Sequence, residues 1–204
     1  MSNEVKYKFL LEEKNFFSIY LKARKIPESK FNTISTCVVF VLSVFFKLVS
    51  DETLVNLRED LLHLSWSGFL LSFSILGFLI AGFTIFATVS KPELFLAMAE
   101  MKDSRSRLPK IKHNFFIFMR VFGNFFILSG LFLILHFVSA EGGVLDSLFS
   151  LGYDSDLPLF LYYKISIALI ATLFYLMIIQ LKSFVFNIYH SVMTSLVWQG
   201  NENG

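Results

Sequence analysis

Few side chains in this sequence could catalyse a reaction, and those that could are widely separated. The chain of 204 residues contains one cysteine, Cys37, and four histidines, His63, His113, His136 and His190. It contains no Gly-rich phosphate loop, no HExxH motif and no Cys/His spacing typical of a metal site. We therefore expect no catalytic site, no metal or other cofactor and no small-molecule substrate, and we predict that the protein is not an enzyme.

Arg120, Asn124 and His136 lie inside one apolar segment, at 115–138, and they are the first candidates for a functional role. Arg120 and Asn124 are four residues apart, so a helix places them on one face. Together they could bind an anion or form part of a gate, whereas Arg120 alone would extend to the membrane surface. His136 is a candidate proton-sensitive site, or a hydrogen-bonding partner for a neighbouring helix.

The composition indicates the class of protein in which these residues lie. Hydrophobic residues make up 55% of the chain and charged residues only 17%, against about 25% charged in a soluble domain. The apolar residues form four runs, at 31–49, 64–89, 115–138 and 159–186. Each run is long enough to cross about 30 Å of hydrocarbon as a helix. The sequence therefore predicts an all-α integral membrane protein with four transmembrane helices in a bundle that spans residues 31–198.

The positive charges predict the orientation of this bundle. Residues 1–30 carry seven Lys or Arg and residues 90–114 carry six, whereas residues 50–63 carry one and residues 139–158 carry none. The positive-inside rule places both termini and the middle loop in the cytoplasm. No acidic residue lies in any of the four runs, which argues against a cation-coupled transporter.

The two ends of the chain are expected to differ in structure. Residues 1–30 form a cytoplasmic amphipathic segment, in which Phe16, Phe17, Tyr20 and Leu21 recur at near-helical spacing among basic residues. We expect this segment either to lie on anionic membrane lipid or to dock a cytoplasmic partner. The fourth helix is expected to continue to Trp198, followed by a disordered tail at 199–204.

The second apolar run has a face of small residues. Gly77, Ala81, Thr84 and Thr88 are spaced i, i+4, i+7 and i+11, which places them on one side of a helix. Small residues at this spacing let helices approach closely in lipid, so we expect this face to be buried against another helix, within the subunit or between subunits. A hydroxyl-lined pore is the alternative interpretation.

Two loops carry further candidate sites. The middle loop carries a cluster of basic residues that predicts either a docking surface for an acidic partner or a set of topology determinants facing lipid phosphates; these are Lys102, Arg105, Arg107, Lys110 and Lys112. No aromatic residue is interleaved with them, which argues against direct nucleic-acid binding.

After Gly142-Gly143, a short apolar face predicts a helix in the outer leaflet, which either senses changes in lipid packing or covers the bundle; its residues are Val144, Leu145, Leu148, Phe149 and Leu151.

The stretch GFLIAGFTIFATVSKPELFLAMAE, from Gly77 to Glu100, places a small-residue helix directly before a capped helix of the middle loop. In this stretch, and in its size, number of spans and predicted cytoplasmic termini, the chain resembles the four-span membrane subunit of the bacterial Kiwa antiphage defence system. The resemblance implies a non-enzymatic multi-pass sensor or scaffold in the bacterial inner membrane. It also implies assembly as a homo-oligomer and recruitment of a cytoplasmic DNA-binding effector. The residues themselves leave open a homo-oligomeric channel or pore-forming effector as the alternative.

Overall fold

The computed structural model describes residues 8–27, 29–89, 91–104, 106–149 and 156–202, and these residues are mostly helical. After a 3₁₀ helix at Lys8–Leu11 come seven α-helices: α1 (Phe16–Ala23), α2 (Lys30–Val49), α3 (Leu54–Val89), α4 (Pro92–Glu100), α5 (Lys110–Ser139), α6 (Val144–Phe149) and α7 (Leu157–Glu202). Outside the helices, the described residues contain an isolated antiparallel bridge between Lys102 and Pro109.

Four of these helices could cross a membrane. In the described parts of the chain, α2, α3, α5 and α7 contain apolar segments of 20, 35, 30 and 38 residues, against about 20 needed for a span. The prediction of an all-α, four-span membrane protein is therefore confirmed.

The helices extend beyond the apolar runs that revealed them. α3 begins at Leu54 rather than residue 64, and α5 begins at Lys110 rather than residue 115. Hydropathy marks only the part of a helix that lies in hydrocarbon, whereas each further residue adds a backbone hydrogen bond at little cost. For the same reason α7 continues to Glu202. The prediction of a disordered tail is therefore wrong for residues 199–202, while residues 203–204 lie outside the described residues.

Helix α2 is held at its C-terminal end by a lysine from another helix. None of its 20 residues is buried, so packing along its length contributes little. The side chain of Lys164, on α7, is 3% exposed, and its Nζ donates to the carbonyl oxygen of Ser50 at 2.6 Å and approaches that of Leu48 at 3.4 Å. A cation at the last carbonyls complements the negative end of the helix dipole.

An ion pair lies at the same end of α2. Lys47 donates to both carboxylate oxygens of Glu52, at 2.9 and 3.0 Å. Hydrogen bonds from Lys47 and Ser50 hold the pKa of Glu52 below its usual range, against the smaller opposing effect of burial. Two lysines and one carboxylate therefore fix the connection between α2 and α3.

The described residues divide into two compact units. The first takes in the described parts of Met1–Glu28, Gly77–Asn124 and Leu181–Gly204, and the second those of Ser29–Leu76 and Phe125–Gln180. In the second unit α3 and α5 pack closely, since the hydroxyls of Ser72 and Ser129 lie 2.7 Å apart. Gly68 lies directly under the ring of Phe132, where a Cβ would be 2.5 Å from the ring.

Two glycines of α3 provide a test of this packing. Substitution Gly68→Ala should lower the free energy of unfolding by about 1–3 kcal/mol, because the fully buried ring of Phe132 has no room to move. In the dissociated subunit, the matched substitution Gly77→Ala should be neutral or stabilising by about 0.5–1 kcal/mol, because a Cβ there meets nothing within 4 Å of the same chain. The measurement is unfolding in detergent by titration with sodium dodecyl sulfate. Equal effects of the two substitutions would contradict the packing described here.

Candidate functional site

The N-terminal segment packs on α5 instead of lying wholly on lipid. Asn15 caps α1 by accepting a hydrogen bond from the Ser18 backbone N–H at 2.8 Å. Ala23 and Ile26 are then buried against Phe116 of α5. The opposite face of α1 is exposed and apolar, and consists of Phe16, Phe17 and Leu21. The predicted lipid or partner contact therefore rests on that outer face alone.

Arg120 and Asn124 both bind this segment. The Arg120 Nη1 donates to the backbone carbonyl of Ile26 at 2.7 Å. The Tyr20 hydroxyl donates to the Asn124 Oδ1 at 2.8 Å. Next to Asn124, Gly123 lets the Tyr20 ring approach the backbone, since a Cβ there would lie 2.3 Å from the ring. The two polar residues that suggested an anion site or a gate instead hold the N-terminal segment in place.

Lys112 does not belong to an exposed basic surface, so that part of the prediction is wrong. Its side chain is 9% exposed, and its Nζ lies 2.9 Å from Glu13 and 3.4 Å from Glu12. It also lies 5.9 Å from the centre of the Phe9 ring. Sequence position placed Lys112 among five basic residues, but its face of α5 is covered by the N-terminal segment. The signal that could have revealed this is the acidic pair Glu12-Glu13 within an otherwise basic segment.

Glu13 is the centre of this ion-pair cluster. It accepts hydrogen bonds from Lys112 and, at 2.8 Å, from Lys22. Burial by itself raises the pKa of Glu13, but the hydrogen bonds from the two lysines outweigh it and leave the pKa lowered. The carboxylate therefore stays charged at neutral pH and below.

Lys102, Arg107 and Lys110 lie on a hydrogen-bonded turn, here called the basic turn, formed by the described residues 101–104 and 106–110. Backbone N–H groups of Asp103, Arg107 and Lys110 donate across it to carbonyls of Leu108, Asp103 and Met101, at 2.8 to 3.0 Å. Lys102, Arg107 and Lys110 are exposed, and Arg107 adopts a φ of +58°. Arg105 lies outside the described residues. The turn therefore presents at least three cations on a fixed backbone.

The small-residue face of α3 is exposed in the subunit. The prediction left open a helix contact within the subunit or between subunits, and the described residues do not show the contact within the subunit. Gly77, Ala81, Thr84 and Thr88 are all exposed. The two threonine hydroxyls donate to carbonyls of their own helix at 2.9 Å, which satisfies them in an apolar medium. Contact with a second subunit and a pore lining both remain predictions.

Aromatic residues on other faces of α3 form the packing surface instead. Phe83 contacts the rings of Phe115, Phe118 and Phe122, with centroids 5.5 to 5.8 Å apart. Phe86 lies 5.5 Å from Phe118 by the same measure. These edge-to-face and tilted ring contacts bury more apolar area between α3 and α5 than small residues could bury.

His136 and the short helix α6 complete the predicted sites. The Nδ1 of His136 lies 3.3 Å from the Ser65 hydroxyl and 3.2 Å from the Leu62 carbonyl, so the interpretation as a hydrogen bond to a neighbouring helix agrees with the structure. In α6, Val144 is exposed but Leu145 is buried, so Leu145 does not belong to an outward face. The side chains of Leu148 and Phe149, and all of Leu151, lie outside the described residues.

Comparison of the chain with protein-family models, curated proteins and solved structures found no match. Within the part of the chain that the structure describes, no three His, Cys, Asp or Glu side chains come together as a metal site would require. Functional interpretation therefore rests on the basic turn, the exposed face of α3 and the anchored N-terminal segment.

Removal of the Lys112 charge should loosen the N-terminal segment. In Lys112→Gln, we expect hydrogen exchange of the backbone amides at residues 15–26 to accelerate about tenfold or more, because a buried charge-assisted hydrogen bond is lost. The lowered pKa of Glu13 determines the direction in which hydrogen-exchange protection at residues 15–26 changes with pH. Protection should be constant near neutral pH, and on the acid side it should fall only as pH drops through that lowered pKa.

The matched control for this prediction is Lys102→Gln, which removes an exposed lysine from the basic turn. It should leave exchange at residues 15–26 unchanged. Equal exchange in the two variants would contradict the anchoring role of Lys112. Hydrogen exchange with mass spectrometry, in detergent, is the measurement.

Proposed function

We propose that this protein is a non-enzymatic membrane sensor or scaffold subunit of a bacterial antiphage defence complex. In this proposal it lies in the inner membrane with both termini in the cytoplasm, and its basic turn recruits a cytoplasmic DNA-binding effector. The observation that carries the proposal is the basic turn itself, with Lys102, Arg107 and Lys110 exposed on a hydrogen-bonded backbone.

The geometry of the turn favours protein docking over a mere topology signal. A topology determinant needs only charge and no fixed conformation, whereas this turn is braced by its own side chains. Asp103 accepts from the backbone and the hydroxyl of Ser106, at 2.8 and 3.1 Å. A preorganised loop loses less conformational entropy on binding, and clustered cations attract an acidic partner.

The exposed face of α3 supports assembly as a homo-oligomer. Gly77 has open space around it, and Ala81, Thr84 and Thr88 extend the same face. In lipid, such a face allows a second helix to approach within backbone contact. Several basic turns in one assembly would bind a multimeric partner with raised avidity.

Reversal of charge on the turn should disrupt recruitment. The full chain is purified in mild detergent after co-expression with the neighbouring genes of its operon, and recovered proteins are identified by mass spectrometry. We expect a stoichiometric cytoplasmic protein, and about tenfold or greater loss of it with Lys102→Glu/Arg107→Glu, because two attractive contacts become repulsive. The double variant Arg24→Glu/Lys91→Glu, with the same charge change at exposed positions outside the turn, should retain the partner.

Two outcomes would overturn this proposal. One is equal loss of the partner in both double variants, which would indicate a general effect of charge. The other is labelling from outside the cell of a cysteine placed at Ser104, in a Cys37→Ser background, by a membrane-impermeant thiol reagent. That result would place the turn on the wrong side of the membrane.

A homo-oligomeric channel is the second candidate function, and the exposed hydroxyls of Thr84 and Thr88 favour it. If these residues line a pore, Thr84→Leu/Thr88→Leu should abolish ion flux in liposomes while the assembly mass stays unchanged. If they form a helix contact, the same substitutions should change the assembly mass measured by light scattering. Absence of flux from the unsubstituted oligomer would exclude the channel.

A further inference from the structure

The first unit contains a cavity of about 510 Å³ with polar and apolar lining residues, formed by α4, the basic turn, the first turns of α5 and the last third of α7. Its lining residues are Met98, Asp103, Lys110, His113, Asn114, Ile117, Phe118, Phe186, Asn187, His190, Ser191 and Thr194. A volume of this size falls in the range of small-molecule sites, roughly 300–1,000 Å³. The sequence did not predict the cavity, because its residues come from distant segments.

Hydrogen-bond donors from two helices, α5 and α7, line the cavity. Lys110 supplies an ammonium group, Asn114 and Asn187 supply amides, and His113 and His190 supply imidazoles. Lys110 and His113 also lie in the first turn of α5, where the helix dipole adds partial positive charge. Donors of this kind, converging on one space, are suited to an oxyanion.

Ser191 adds a hydroxyl to this lining. The residue is only 8% exposed, and it lines the cavity. A hydroxyl can both donate a hydrogen bond to an occupant of the cavity and accept one from it.

Asp103 limits the charge that the occupant can carry. Its Oδ1 accepts from the backbone N–H of Ser106 at 2.8 Å and lies 3.6 Å from the His113 Nδ1, so it belongs to the brace of the basic turn. The formal charges of Asp103 and Lys110 cancel, so the cavity has little net positive charge with which to compensate the negative charges of a polyphosphate. Ile117 and Phe118, one turn further along the same face of α5, and Met98 of α4 add apolar surface that can contact an organic group.

We infer that this cavity binds a phosphate monoester or diester, with the phosphate held by the donors of α5 and α7 and the organic group against the apolar lining residues. Two sources share this chemistry: the headgroup of an anionic phospholipid and a soluble phosphorylated molecule of nucleotide size. The inference does not depend on the proposed docking function. The two share Lys110, but Lys102 and Arg107 do not line the cavity, and the cavity's other donors lie on α5 and α7.

The test uses the full chain in nanodiscs and measures the midpoint of thermal unfolding. One arm adds adenosine monophosphate or inorganic phosphate to the chain in phosphatidylcholine nanodiscs. The other arm, without a soluble probe, compares the midpoint in phosphatidylcholine nanodiscs with the midpoint in nanodiscs that contain phosphatidylglycerol. A ligand that binds the folded state raises the midpoint as its concentration rises. A rise with a soluble probe identifies a soluble ligand, a rise with phosphatidylglycerol alone identifies a lipid headgroup, and either supports the inference.

Two variants distinguish the cavity from general charge effects. Lys110→Gln should weaken binding about tenfold or more, and Ser191→Ala about threefold to tenfold. Ser191→Ala removes only a hydroxyl group, so it should shift the midpoint without ligand by little. The matched control Lys102→Gln removes an exposed lysine that does not line the cavity and should bind like the unsubstituted chain.

The inference is overturned if no probe raises the midpoint, which would indicate a cavity filled only by water. It is also overturned if Lys102→Gln weakens the response as much as Lys110→Gln, which would indicate binding to surface charge. A response that is unchanged in both Lys110→Gln and Ser191→Ala would place the ligand outside this cavity, with the same consequence.

Discussion

The ion pair between Lys112 and Glu13 is the contact on which the structure of the first unit depends. Both side chains are almost completely buried, so each charge would be costly without the other. The pair fixes the N-terminal segment on α5, and the Tyr20–Asn124 and Arg120–Ile26 hydrogen bonds continue the attachment along the same helix. α5 carries the basic turn at its start, so the segment steadies the helix that presents it.

The same constraint governs the polar groups of the second unit. An apolar medium supplies no water, so each buried polar side chain must find a partner inside the protein. Ser72 pairs with Ser129, His136 lies against Ser65, and Lys164 binds the carbonyl of Ser50 at the end of α2. These contacts join helices that hydrophobicity alone would not hold together, because lipid chains are as apolar as the helix surfaces.

Helix packing also explains where the small residues of α3 lie. Gly68 allows close contact because the Phe132 ring occupies the space that a side chain would need, whereas Gly77 faces open space. Spacing of small residues identifies a face where helices can meet, but the aromatic rings of Phe83, Phe86, Phe118 and Phe122 determine which faces do meet in this chain. The exposed small-residue face is consequently available for contacts between subunits.

The sequence by itself determined the class of the protein, the number of spans and the approximate position of each, because a run of about 20 apolar residues has few stable alternatives to a membrane helix. It also identified the basic turn as a charged segment. Only the tertiary structure decided that Lys112 is buried in an ion pair, that Gly77 and Thr84 face outward, and that His113 and His190 line one cavity. The physical reason is that hydropathy and charge are properties of single segments, whereas burial and pairing depend on which segments meet.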